Sequence, residues 1–268
     1  MRPEELDLRD LTAPDDVEQC MALQRATWGD DFRELVPPAV LQIAQKVGGL
    51  AVGAFDDDGA LVGFVFGITG VREGRLTHWS HMLAVREDRR DAGVGRILKQ
   101  HQRQRLLELG VGSVLWTFDP LVARNAHLNL NRLRVRVLEY VEGMYGESPM
   151  SKTDSVIGTD RIIVEWVIAG EGHPAAAPGL PPVTPVVSSG AVGAEPDLAD
   201  APVVLVEVPP DIQSLKIDQP KVAVAWRAST RRAFTHYLGL GYRIAAFERS
   251  PDRSRCYYMV QRAEPAGA

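Results

Sequence analysis

A chain of 268 residues, 45% hydrophobic and 24% charged, has the balance of an ordinary globular protein and the length of one large domain or two small ones. Its net charge of −5 gives no reason to expect nucleic acid or an anionic membrane as partner. Its two cysteines, Cys20 and Cys256, stand far apart with no Cys-x-x-Cys or Cys/His cluster, which points to a reducing cytoplasm and against structural zinc. The start, MRPEELDLRDL, is too charged for a signal peptide, and no apolar run nears the roughly 20 residues of a membrane helix.

In chain order, ELDLRDLTA alternates like a strand. APDDVEQCMALQRATWG has Pro and acids at its start and Gly at its end, so it reads as a helix, and PPAVLQIAQKVGG as a shorter one. Two apolar runs around Asp56-Asp57-Asp58-Gly59 predict a hairpin. RLTHWSHMLAVRED is the next strand, followed by a helix Val94–Leu109 that Gly110 stops. VGSVLWTFDP reads as a strand, VARNAHLNLNRLR as a helix, and VRVLEYVEGMYG and DRIIVEWVIAG as strands. Residues 170–201 are rich in Pro, Gly, Ala and Ser and read as a linker. Order returns with the strand VVLVEVP, a helix striped by Val222, Ala225, Trp226, Ala233, Phe234 and Tyr237, and two last strands around a polar turn, Ser250–Ser254. Strand, helix, strand, break, strand thus occurs twice, over 114–168 and 203–261, by design or by chance. The expected division is a domain over 1–169, the linker, and a half-domain over 202–268 whose short core should need the first domain beside it.

The junction RRDAGVGRIL carries two glycines between a strand and a helix. Unpaired amides and the positive end of a helix dipole attract anions there, and glycine lets the backbone come close. Two glycines alone fit equally a tight turn that binds nothing. The flanks are more specific. MLAVREDRRDAGVGRILKQHQRQRLLELGV resembles the acyl-CoA-binding motif of the GNAT superfamily of N-acyltransferases: an apolar strand ending in Val, then Arg/Gln-x-x-Gly-x-Gly/Ala, then an amphipathic helix. The resemblance covers about 6–168. It implies an α/β (α+β) fold with a mixed, mostly antiparallel sheet flanked by helices, and acetyl-CoA or another acyl-CoA as co-substrate, with no metal. By this resemblance Arg90, Asp91, Ala92, Gly93, Val94, Gly95 and Arg96 would hold the pyrophosphate, and Leu83, Ala84 and Val85 would line the pantetheine arm. Lys99, Arg103 and Arg105 would either reach other phosphates or form the solvated face of the helix.

Amide formation from a thioester needs a base, because an amine of pKa about 9–10 is protonated near neutral pH. HMLAV resembles the strand of arylalkylamine acetyltransferases in which a histidine helps deprotonate the amine, which makes His81 the candidate base. Alternation along a strand would place it on one face with Leu83 and Val85, with His78 on the other; a histidine merely packed in the sheet is the alternative. The Leu83 amide would polarise the thioester oxygen. The family's tyrosine, which protonates the leaving thiolate, is replaced by Leu130, while Asn125 matches the asparagine that opens that helix and would bond the pantetheine. Tyr237-x-x-x-Gly241-Tyr242 matches the tyrosine pattern instead, so either Tyr237 supplies the acid or the thiolate leaves unassisted. WTFDPL (Trp116–Leu121) and RNAHLNLNRL (Arg124–Leu133) resemble a bacterial acyltransferase group that includes acylation of amino acids and succinyl transfer. There Arg124, Arg132 or Arg134 would bind a carboxylate, or serve as surface ion pairs.

The expected activity is transfer of an acetyl, or a succinyl, group from coenzyme A to a primary amine of a small molecule, with an amino acid as one acceptor class. The expected setting is cytoplasmic, with no nucleic acid or membrane partner and a homodimer left open. A protein that binds acyl-CoA without catalysis is the alternative. Dinucleotide binding is disfavoured because Leu98 stands where Gly-x-Gly-x-x-Gly needs its last glycine.

Overall fold

The computed structural model describes residues 6–30, 32, 34–146, 157–170, 186–187 and 198–263. By contacts the chain forms two compact units, Met1–Trp116 with Trp166–Gly172, and Thr117–Glu165 with His173–Ala268. The division passes through two strands rather than falling in the Pro- and Gly-rich stretch, most of which (171–185 and 188–197) lies outside the described residues.

The first unit is a mixed sheet flanked by helices, as the resemblance implied. Strands β1 (Asp7–Asp10), β2 (Leu50–Phe55), β3 (Leu61–Arg72) and β4 (Arg75–Val85) are antiparallel neighbours. β5 (Ser113–Phe118) joins β4 in parallel. Parallel neighbours need a crossover, and α3 (Val94–Glu108) supplies it. α1 (Pro14–Trp28) and α2 (Pro38–Lys46) each begin on a proline, whose missing N–H costs nothing in a first turn. β2 is buried along its whole length, as a strand covered on both faces must be. α3 buries Val94, Leu98, Gln102 and Leu106, one residue every four, against β2, β3 and β4. Leu98 has no exposed surface, a burial of the kind that contributes about 1.5–3 kcal/mol.

The second unit holds α4 (Ala123–Ala126), the antiparallel pair β6 (Arg136–Val141) and β7 (Arg161–Val167), and a four-stranded sheet. That sheet contains β8 (Val186–Val187), β9 (Val203–Val208), β10 (Tyr242–Arg249) and β11 (Cys256–Arg262) in the order β10-β11-β9-β8. α5 (Ile212–Asp218) and α6 (Pro220–Gly239) precede β10; α5, capped by Asp211, has no counterpart among the sequence expectations. The helix expected around 122–134 is one α turn followed by a wider π turn, His127–Arg132.

On α6 the expected Ala233, Phe234 and Tyr237 are buried, while in the first half of the helix Ala223 and Arg227 are buried in place of the expected Val222 and Trp226. An ion pair occupies this buried position. Both oxygens of Asp119 accept from Arg227 Nη2 at 2.8 Å, and Arg227 Nε donates to the Ile157 carbonyl. Nearby, Arg231 forks onto Asp160, which also accepts from the Tyr140 hydroxyl. Both cysteines are buried and free, and burial pushes the Cys20 thiol up to about 12, which leaves it inert. No described helix is long and apolar enough to cross a membrane.

Candidate active site

The β4–β5 ladder is short. Thr77, His78 and Trp79 pair with Ser113, Val114 and Leu115, yet β4 runs on to Val85 along β3. From Ser80 onward the edge of β4 that looks toward β5 is therefore free of that ladder, and an extended group can lie against it as a neighbouring strand would. Arg86 N donates to Val62 O at 2.8 Å, two positions past the Phe64–Ala84 pair. Bonded and non-bonded pairs alternate in an antiparallel ladder, so the amides of Leu83 and Val85 point away from β3, into the gap. Ala84, expected as a third backbone contact, turns its amide toward β3 instead.

A bulge interrupts β4 at His81. Phe66 pairs with Met82 and Gly67 with Ser80, leaving one residue extra. The bulge reverses the alternation. Leu83 and Val85 face α3, where a Cβ on Gly95 would lie 3.5 and 3.8 Å from their side chains. His78 and Ser80 face α3 as well, through contacts with Lys99 and Gln102. His81 turns to the other face, edge-on to Phe66 with ring centroids 6.1 Å apart. The expectation that His81 shares a face with Leu83 and Val85 is thus corrected, and the extra residue is the reason. On that face Trp28 stacks on Phe32 at 5.6 Å and meets Phe64 edge-on. His81 is solvent-exposed at its side chain, while its protein surroundings hold its pKa below the ordinary 6.5 by desolvation, against the pull of Glu34.

The loop after β4 is a single 3-10 turn, Glu87–Arg89, then Asp91 at φ 63° and Gly93 at φ 85°. Gly93 is the N-cap of α3 and no side chain caps the helix; Arg96 N already donates to Gly93 O at 3.0 Å, so the first-turn amides that remain for a ligand are those of Val94 and Gly95. Asp91, Ala92, Gly93 and Arg96 are exposed, and Arg90 is half-buried near Glu87. Arg86 and Arg89 approach Asp56 of the β2–β3 turn at 3.7 and 3.8 Å, tying down the base of the loop. The seven loop residues of the motif, 90–96, are contiguous at this helix start, with Leu83 and Val85 beneath Gly95.

Lys99 departs most from expectation. It is neither on a solvated face nor near the helix start; it is 3% exposed, facing the sheet. Its Nζ donates to Ser80 Oγ at 2.8 Å and Gln102 Oε1 at 3.2 Å and sits 4.0 Å from the Trp116 ring centroid. Desolvation lowers its pKa to about 7. Gln102 Nε2 reaches His78 Nε2 at 3.1 Å. Thr69 Oγ1 gives its hydrogen to Gly48 O, so His78 Nδ1–H donates to Thr69 and His78 Nε2 accepts from Gln102. Burial, helped by the Lys99 charge, pushes His78 down to about 3 and keeps it neutral. Arg103 and Arg105 are engaged with the Ile168 carbonyl and Asp10. The four-residue spacing of Leu98, Gln102 and Leu106 is a sequence signal for a buried Gln102; nothing comparable marks Lys99.

This cluster crowds the backbone of β3. A Cβ at Gly67 would lie 2.2 Å from His78 Nε2 and 2.6 Å from the Trp79 carbonyl. Gly67→Ala should therefore cost stability by about 1–3 kcal/mol, read as a lower denaturant midpoint at unchanged m-value.

In the second unit Tyr237 is 1% exposed, and its hydroxyl donates to Ala199 O at 3.0 Å. Its proton is committed within that unit's core. Asn125 lies in α4 and is half-buried, its amide donating to Val122 O. Arg124, Arg132 and Arg134 are exposed. Among the described residues no group of three His, Cys, Asp or Glu side chains could hold a metal ion.

No family model matches the sequence, and no curated protein matches it. Solved structures are similar in shape. An aminoglycoside 6'-N-acetyltransferase complexed with coenzyme A is 15% identical, covering 62% of this chain and 98% of its own, at a TM-score of 0.47. NAA60 of Arabidopsis thaliana in complex with acetyl-CoA is 16% identical over 60% of this chain and 99% of its own, at 0.48. Ard1 from Thermoplasma volcanium is 16% identical over 62% and 99%, at 0.47.

Proposed function

We propose that this chain is an acyl-CoA-dependent N-acyltransferase that moves an acetyl group, or a succinyl group, to the primary amine of a small molecule, with amino acids as one acceptor class. The observation that carries the reading is the coincidence in one unit of three features: the short β4–β5 ladder, the bulge at His81, and the glycine-led start of α3. Each alone has a purely structural use. Together they suit an elongated, phosphate-headed thioester.

The amides of Val94 and Gly95 receive the pyrophosphate, at the positive end of α3. The gap-facing amides of Val85 and Leu83 hold the pantetheine arm and the thioester oxygen. Polarised there, the carbonyl carbon is open to an amine arriving from the His81 face. His81, held neutral at pH 7, accepts the amine's proton. Trp28, half-buried and backed by the buried Phe32 and Phe64, offers an apolar surface on that face, suited to the carbon frame of an acceptor.

Gly95→Glu tests the cofactor part of the reading. A Cβ at this position meets only ordinary contacts, 3.5 and 3.8 Å from Leu83 and Val85, and the carboxylate beyond it brings negative charge to the helix start proposed to hold pyrophosphate. Calorimetry should show CoA affinity lowered at least tenfold, about 1.4 kcal/mol. Unchanged affinity in a folded variant removes the assignment.

A further inference from the structure

We infer that Ser80, charged with a proton by Lys99, protonates the departing CoA thiolate, in place of the tyrosine that the sequence lacks on the helix after β5. The inference rests on the acyl-CoA reading above and adds to it the identity of the acid.

Ser80 is the first residue of β4 beyond the β5 ladder, so it stands at the closed end of the gap. The bulge then divides the strand's chemistry between two faces, His81 with Phe66 on one and Ser80 with Lys99 on the other. In a tetrahedral adduct the entering nitrogen and the leaving sulfur occupy different corners. A thioester in the gap, attacked from the His81 face, therefore releases its sulfur toward the Ser80 face.

Around Lys99 the neighbours are Ser80 and His78 on β4, Gln102 and Arg103 on α3, and Trp116 on β5. Among the described residues no carboxylate pairs with it. The Arg103 guanidinium is spent on Ile168 O, and His78 stays neutral. A lysine buried without a carboxylate loses its proton far more readily than one in water, which is the property an acid needs. A purely structural residue at this place would be better as methionine or leucine, since burying an ammonium costs stability.

The amine nitrogen bonds to the carbonyl carbon and the C–S bond breaks. One amine proton goes to His81. The sulfur takes the hydroxyl proton of Ser80 as that hydroxyl turns from Gln102, and Ser80 Oγ takes a proton from Lys99 Nζ. His81 then releases its proton to water and Lys99 regains one from water, leaving amide and free thiol.

The test needs no acceptor. The ultraviolet thiolate absorbance of CoA bound to the full-length protein is titrated against the desulfo-CoA complex. Lys99 should make the bound thiol ionise below its ordinary range near about 8.5, and Lys99→Met should move that titration up by a unit or more, a tenfold change in thiolate fraction at fixed pH. Equal titrations in the two proteins overturn the inference while leaving CoA binding, and so the acyl-CoA reading, intact. Absence of CoA binding to the wild type overturns that reading instead. Should Lys99→Met not fold, carbon NMR of the lysine side chains decides on the wild type alone, and with five lysines the spectrum is tractable. The most acid-titrating lysine should move to higher pKa on adding CoA and not on adding desulfo-CoA; equal shifts with both overturn the proposal.

Discussion

His81→Ala lowers turnover by about 10²–10⁴ while CoA affinity stays near the wild-type value. The side chain lies on the face opposite Leu83, Val85 and Gly95, so its removal leaves the cofactor's amide contacts in place. The pH–rate profile is the sharper measurement. A base works in its unprotonated form, so the rate rises with pH through the histidine's pKa and then levels. Desolvation holds that pKa below 6.5, so the wild-type inflection should fall on the acid side of 6.5, and it should vanish in His81→Ala. A variant with normal turnover and an unchanged inflection moves the base elsewhere. His78 is an unsuitable replacement, with its pKa pushed down to about 3 and both ring nitrogens engaged.

Arg227→Ala destabilises the second unit by about 3–5 kcal/mol, because it strands a nearly buried carboxylate. Burial alone would raise the Asp119 pKa; the cations of Arg227, Arg161 and Lys216 outweigh it and hold the group below its ordinary value. A carboxyl depressed by folding contributes stability that is full above its unfolded pKa, near about 3.9, and is lost as pH falls through the folded value. Without Arg227 the folded pKa of Asp119 rises, so chemical unfolding should become pH-dependent in the mildly acid range where the wild type is flat. A variant that unfolds at the wild-type denaturant concentration at both pH 7 and pH 5 shows that Arg161 and Lys216 suffice. Arg227→Met, which retains volume without charge, separates lost packing from the stranded charge, and should lose nearly as much.

Element types in the first unit were legible in the sequence because their signals are local. Prolines open α1 and α2, Asp56–Gly59 turns the β2–β3 hairpin, and Gly110 ends the crossover helix, each through backbone geometry that a few residues decide. The anion-binding start of α3 belongs to the same class: Gly93 takes a left-handed conformation directly before the helix, and the motif around it is contiguous in the chain.

What the tertiary structure alone decided depends on residues far apart in sequence. The bulge at His81 arises from pairing with Phe66 and Gly67, and it moved the candidate base to the face opposite the one that simple alternation gives. Lys99 reads as one more cation on a polar helix; only the sheet beneath α3 shows it buried on Ser80 and Trp116. On α6, Arg227 displaced Trp226 from the buried stripe because Asp119, 108 positions away, awaited it. Period and composition say which residue types favour water; whether a charge is nonetheless buried is set by the partner that folding brings to it.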